Sequence, residues 1–238
     1  MSGREMTGIS MTGRSVTWVD EGFIAFDTET TGVDSSQDRI VTAAAVTFIE
    51  GEPTEARDWL IRVDVEIPLS ASEIHGVTTE ASLAGVDQLT ALAQIRAHLV
   101  ATGRPIVCFN SAFDIGILDA NLNRLGLDAL PEYSAICAMV LDKQFNRYVR
   151  GSNQRRLKPT AERYGISLAD SDWHGAEADA RVTGQIFLAQ ARAFPAISAV
   201  SPKVLAGQVE RWREQQQADF QAWLSRQPAL PPAVLPAK

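Results

Sequence analysis

The first clear alternation of apolar and polar positions begins at Gly22. In GFIAFDT, Phe23, Ala25 and Asp27 share one face of a strand and Ile24, Phe26 and Thr28 the other, and both faces are mostly apolar. A strand buried on both faces belongs in the middle of a sheet. RIVTAAAVTFI and RDWLIRV follow, rich in β-branched and aromatic residues, and EGEPTE between them reads as the turn of an antiparallel hairpin. The sheet is expected to start at its centre and grow outward. Leu89, Leu92, Ala93, Ile95, Ala97 and Leu99 recur at helical spacing until Gly103, and RPIVCFN is the next apolar strand, which makes a β-α-β return. The stripe Ile117, Leu118, Leu122 and Leu125 predicts a helix closed by Gly126. EYSAICAMVLDKQF is expected to form another helix, and an alanine-rich one runs from Gly175 to Phe194. A last helix, from about Pro202 to Gln227, carries Val204, Leu205, Val209, Trp212, Phe220, Trp223 and Leu224, with the three aromatics expected to pack it onto the domain or to form a docking surface. PALPPAVLPAK after it is too rich in proline to fold alone. The expected organisation is an α/β fold with a mixed central sheet flanked by helices. A flexible leader covers residues 1–21, one domain covers 22–194, and a C-terminal helical appendage with a Pro/Ala-rich tail covers 195–238.

Composition narrows the class. The chain has 238 residues, 45% hydrophobic and 21% charged, close to ordinary globular usage and unlike disordered, collagen-like or disulfide-stapled chains. No apolar run approaches the roughly 18 residues of a membrane helix, so no membrane partner is expected. The first residues lack the apolar block of a signal peptide, and a cytoplasmic location is expected. Cys108 and Cys137 stand apart in apolar segments and read as packing residues. A net charge of −7 argues against coating nucleic acid by bulk charge. The distribution changes that picture: Asp142 to Arg163 holds seven basic residues against two acidic ones. The segment reads either as a solvated face or as a rim that tracks phosphates, with Phe145 and Tyr148 available to stack on bases.

Several carboxylates lie on faces that should be apolar. Asp27 and Glu29, two apart, point the same way at the end of the central strand. Asp114 shares the helical stripe of Ile117, Leu118, Leu122 and Leu125, and Asp179 that of Val182, Thr183, Ile186 and Phe187. An isolated buried carboxylate costs several kcal/mol or more unless a cation answers it, and no Lys or Arg shares these faces. All-oxygen ligation suits Mg²⁺ or Mn²⁺, commonly together with substrate phosphate oxygens. Two ions per site would stabilise the attacking and leaving oxygens of an in-line displacement at phosphorus. His174 precedes Asp179 by five residues, about 140° around a continuous helix. If the helix starts after Gly175, His174 sits on a loop beside the acids, placed to take a proton from an attacking water.

FDTETTG, NSAFD and HGAEAD, in that order and at these separations, resemble the DEDDh exonucleases of the RNase H-like superfamily, the group that includes proofreading epsilon subunits and RNase T. SEIHGVT and RLKPTAERYGI resemble further segments of the same family. The resemblance implies an RNase H-like fold over roughly Gly22 to Phe194 and a 3′→5′ exonuclease that releases 5′-monophosphates. It implies that Asp27, Glu29, Asp114 and Asp179 bind metal and that His174 is the general base; a tyrosine there would mark the sister group. Thr30, Thr31, Gly32, Val33, His75 and Asn110 are implied to meet the substrate. Phe109 stands where most members carry histidine before the asparagine. DNA 3′ ends are the expected substrate, in single strands or frayed ends. Alternatives are an exoribonuclease trimming RNA 3′ ends and a catalytically silent nucleic-acid-binding or polymerase-associated scaffold. Residues after Pro202 could tether the domain to a polymerase or repair protein. Taken alone, His75 could simply close a turn before Gly76, and His98 reads as a surface residue.

Overall fold

The computed structural model describes residues 16–131, 135–167 and 175–226. A helical turn, α1 (Trp18–Glu21), leads into β1 (Phe23–Thr30), β2 (Ile40–Ile49) and β3 (Glu52–Arg62), an antiparallel meander in which Phe23 faces Phe48 and Ala43 faces Trp59. Next come α2 (Leu69–His75), α3 (Thr79–Ser82), β4 (Val86–Asp87) and α4 (Gln88–Ala101). β5 (Ile106–Cys108), α5 (Ser111–Arg124), β6 (Ala135–Cys137) and α6 (Ala138–Phe145) follow. A 3₁₀ turn (Ser152–Arg155), α7 (Leu157–Arg163), α8 (Ala176–Ala193) and α9 (Pro202–Leu224) complete the described chain. The strand order is β4-β3-β2-β1-β5-β6, with β5 parallel to β1 and β6 parallel to β5. This is the mixed RNase H-like sheet, and β1 lies inside it, as its two apolar faces require.

Each face of β1 meets its own core. Phe23 and Ala25 join Phe48, Phe187, Leu188, Leu205 and Val209 under α8 and α9, while Ile24 and Phe26 join Leu92, Ile95, Ile117 and Leu118 under α4 and α5. Phe23 stacks on Phe48 at 5.1 Å and meets Phe187 edge-on at 4.9 Å. Burying each such side chain contributes about 1.5–3 kcal/mol. α8 crosses β2 at Gly184, where an added Cβ would lie 2.2 Å from the Phe48 ring. Alanine normally favours a helix over glycine by about 1 kcal/mol. Here the overpacking penalty of about 1–3 kcal/mol exceeds that gain, because the ring is fixed by Phe23. Gly184→Ala is therefore expected to lower the melting temperature; an unchanged or raised one would show that α8 can lift away freely.

Several sequence expectations are corrected. EGEPTE is mostly strand: Glu50 (φ 53°) and Gly51 (φ 83°) form a two-residue turn whose positive φ angles match the twist of a hairpin, and β3 begins at Glu52. In EYSAICAMVLDKQF, residues 132–134 lie outside the described set, and Ala135–Cys137 is a strand rather than helix. Its register sets Cys137 beside Cys108. Both cysteines are buried and free. His98 is buried, 8% exposed, and packs 6.0 Å from Trp59. The α1 turn, within the expected leader, buries Val19 and sets Trp18 against Phe187. The appendage divides: Leu205, Val209 and Trp212 join the core, while Phe220 and Trp223 are 55% and 53% exposed and stack on each other at 5.8 Å instead of on the domain. Among the described residues no helix is long and apolar enough to cross a membrane.

Candidate active site

Strand alternation carries Asp27 and Glu29 out of the core to the same side of the end of β1, and a register irregularity between Glu29 and Thr30 ends the regular pairing with β2 there. α8 brings Asp179 in from its first turn, and one carboxylate oxygen from each of Asp27, Glu29 and Asp179 lies within 4.8 Å of the others. Asp114, 4% exposed in the first turn of α5, comes from the opposite face of the strand and accepts a hydrogen bond from Thr28 Oγ1 at 3.0 Å. The three-acid cluster does not include it, but its charge acts on Asp27 and Glu29. Sequence reading missed Thr28. Its signal was a hydroxyl on an otherwise apolar face, opposite the helix that carries Asp114.

The electrostatics match a site built for a cation. Burial, then the charges of Asp114, Asp179 and Glu29, push the Asp27 carboxyl well above the ordinary carboxylate range. Burial, then Asp179 and Asp114, push Glu29 up to about 8. Burial raises Asp114 to about 7, against the lowering effect of the Thr28 and backbone hydrogen bonds. Among the described residues, Asp27, Glu29 and Asp114 form no ion pair with lysine or arginine. Clustered hard carboxylate oxygens that raise one another's pKa fit a divalent cation such as Mg²⁺ or Mn²⁺.

The folded state holds protons on Glu29 and Asp114 that the unfolded chain, near 4.5 and 3.8, has already released. Their contribution to stability is fully present below those unfolded values and is lost as pH rises through about 7 and 8. In chelator, the melting temperature is expected to fall between pH 5 and pH 8.5, and Mn²⁺ to remove most of the fall at high pH. A pH-independent difference between chelated and Mn²⁺-treated protein would contradict the clustered carboxylates.

The other sequence candidates fall around this cluster. Thr30 Oγ1 donates to the Gly32 carbonyl at 2.6 Å. Thr31, 4% exposed, donates from Oγ1 to Asp38 Oδ1 at 2.8 Å. Gly32 lies so close to the Asp38 carboxylate that a Cβ would sit 2.6 Å from Oδ2. Asp38, absent from the sequence reading, thus fixes the Thr31–Gly32 turn, and its own carbonyl accepts from Asn121 and Arg124. Val33 is 90% exposed beyond the turn. Asn110 is the exposed N-cap residue of α5 and makes no side-chain cap bond. His75 ends α2, accepts from the Val77 amide at Nδ1, and has its pKa held down by burial, opposed by the backbone of Thr30 and of His75 itself. Together with Trp59, Gly175 and Glu177 it lines an open cleft of about 540 Å³. His174, the expected base, lies outside the described residues. α8 begins directly after its N-cap, Gly175.

The basic segment is partly structural. Asp142 is fully buried, and Arg155 Nη1 (2.5 Å) and Arg163 Nη2 (2.7 Å) both pair with its Oδ2. Phe145, expected to be available for stacking on bases, instead packs on Phe194 and Trp212.

Comparison with known proteins bears on this geometry. Residues 24–187, which include all four acids, match the family model of the RNase T type, described as an exonuclease. The chain belongs to the RNase T exonuclease family. Among relatives, the DNA polymerase III subunit epsilon of Treponema pallidum is 30% identical over 165 residues, covering 69% of this chain and 74% of that protein. A DNA polymerase III subunit epsilon-like protein of Rhodobacter capsulatus is 29% identical over 74% of this chain, which spans only 24% of that relative. The fold resembles that of E. coli exonuclease I solved in complex with single-stranded DNA, with a TM-score of 0.65 and 20% identity over 74% of this exonuclease-family chain and 41% of that one. That likeness concerns the fold.

Proposed function

We propose that the protein is a DEDDh-type 3′→5′ exonuclease that removes nucleotides from DNA 3′ ends, in single strands or frayed termini, and releases 5′-monophosphates. The observation that carries the reading is the convergence of Asp27, Glu29 and Asp179 within 4.8 Å, with Asp114 beside them, in a chain of the exonuclease family. The DNA preference draws on DTETTG followed by Val33 and on relatives named as DNA polymerase III epsilon subunits.

In this reading Asp27, Glu29, Asp114 and Asp179 hold two Mg²⁺ or Mn²⁺ ions. Bound there, the ions would offset charge on the attacking and leaving oxygens of an in-line displacement at phosphorus. Thr28 positions Asp114 by fixing one of its oxygens. The Thr30–Gly32 turn, braced by Asp38, seats the terminal nucleotide with Val33 against a base; His75 and Asn110 border that seat. His174 takes a proton from the attacking water as the water oxygen bonds to phosphorus. The bond from phosphorus to the 3′ oxygen of the penultimate nucleotide breaks, and that oxygen ends protonated.

Digestion of 5′-labelled single-stranded DNA and RNA tests the polarity and the sugar. With Mg²⁺ or Mn²⁺ a ladder should shorten from the 3′ side, faster on DNA, and be absent with chelator. Immediate release of the 5′ label as a mononucleotide would refute the polarity, and faster trimming of RNA would move the reading to the exoribonuclease. The proposal also assigns Phe220 and Trp223 to docking a polymerase or repair protein. Removing everything after Pro202 would strip Leu205 and Val209 from the core, so the informative change is Phe220→Ala with Trp223→Ala, expected to release a co-purified polymerase subunit while the melting temperature holds.

A further inference from the structure

The loop between α6 and α7 is held rigidly for a purpose that the acid cluster does not explain. Arg155 donates to the carbonyls of Asn146 (2.7 Å) and Val149 (3.1 Å) while paired with buried Asp142, and the Asn146 amide donates to Asp142 Oδ1 and the Tyr164 hydroxyl. Both ends of the loop are thereby tied to one buried carboxylate. What it presents outward is Tyr148, 92% exposed, with Arg147, Arg150 and Arg156, all exposed. Arg39, Arg57, Arg181 and Arg213 each have a carboxylate partner, whereas these three arginines have none among the described residues. A solvated face does not need a pinned loop, and an unpartnered tyrosine ring in water contributes nothing to folding.

The location adds a second reason. Leu157, next to Arg156, packs against the apolar cluster that holds Val182 and that Phe109 also borders. Phe109 precedes the N-cap of the helix that carries Asp114, and Val182 lies one helical turn, about 5 Å, beyond Asp179. The foot of the loop is thereby joined, through one apolar cluster, to the segments that lead to Asp114 and Asp179, in a chain of net charge −7 that has to hold a polyanion.

We propose that the Asn146–Arg156 loop is the binding track for the single strand upstream of the scissile bond, with Tyr148 as a stacking platform for a base and Arg147, Arg150 and Arg156 as phosphate contacts. The proposal rests on the nuclease reading above. Its ligand is a single-stranded nucleic acid of either sugar, since an aromatic ring accepts any base face and guanidinium any phosphate.

The test is the anisotropy of a fluorescent 20-nucleotide oligo-dT titrated with full-length protein in chelator, at salt concentrations from 50 to 200 mM. Neutralising the arginines together (Arg147→Gln, Arg150→Gln, Arg156→Gln) should reduce the slope of log affinity against log salt by about 2, at about 0.7 per phosphate contact. Tyr148→Ala should weaken binding by roughly fivefold or more, and Tyr148→Phe should restore it. In turnover with Mg²⁺ the KM penalty should grow with strand length, from small on a dinucleotide to about tenfold or more on the 20-mer. Wild type that degrades strands, alongside variants with unchanged slope and affinity, overturns the track and leaves the nuclease reading standing. Wild type that degrades neither dinucleotide nor 20-mer with either metal overturns the nuclease reading, and the track with it.

Discussion

Asp27→Asn is expected to lower turnover by about 10³-fold or more while raising the melting temperature of the chelated protein at pH 8. The two effects share one cause. Asp27 is pressed by burial and by the charges of Asp114, Asp179 and Glu29, so in the absence of a cation its ionised form opposes folding. The amide keeps the size of the side chain and removes the charge, which relieves the neighbours as well. The same change removes a proposed oxygen ligand from the cluster, where a bound divalent ion would supply several kcal/mol of transition-state stabilisation, and each 1.36 kcal/mol is a factor of ten in rate. Activity is measured on a single-stranded oligonucleotide and stability by thermal melting with and without Mn²⁺. A variant that lost stability in chelator would mean that Asp27 is a structural partner in the fold. One that kept its activity would remove it from the reaction.

His174→Ala is expected to slow turnover by about 10²–10⁴-fold, the usual range for loss of a general base, with little change in Mn²⁺ affinity. The separation of rate from metal binding is the diagnostic part, because the acids proposed to hold the ions are untouched. The pH profile should also lose its acid limb, since an imidazole must be neutral to accept a proton and its ordinary pKa is near 6.5. Wild-type rate at saturating Mg²⁺ would assign the base elsewhere.

Much of the fold was legible because the relevant residues violate or obey simple periodicities. β1 announced its central position by being apolar on both faces, and Asp114 and Asp179 stood out as charges on buried helical stripes. The failures came where local pattern is silent about tertiary context. Ala135–Cys137 is three apolar residues long, compatible with either period, and only the neighbouring Cys108 edge makes it a strand. Phe220 and Trp223 continue the spacing of Leu205, Val209 and Trp212, but the sequence does not say where the surface beneath that stripe ends. Asp142 looked like one minor acid in a basic stretch. Its pairs with Arg155 and Arg163 span 13 and 21 residues and turn part of that stretch into an internal clamp. Around the candidate site, alternation placed Asp27 and Glu29 together, yet the Thr28–Asp114 and Thr31–Asp38 hydrogen bonds depend on backbone paths that no spacing rule reveals.

The central claim, that this acidic nest is a divalent-cation site, is tested most directly by calorimetric titration of Mn²⁺ into wild type and Asp27→Asn at pH 7, each in two buffers of different ionisation enthalpy. At that pH Glu29, near 8, is mostly protonated and Asp114, near 7, about half so, and an arriving cation must displace those protons. The account predicts saturable binding to wild type with a buffer-dependent heat that reports proton release, and binding at least tenfold weaker to Asp27→Asn. Equal binding by the two proteins, or none by wild type, would contradict it.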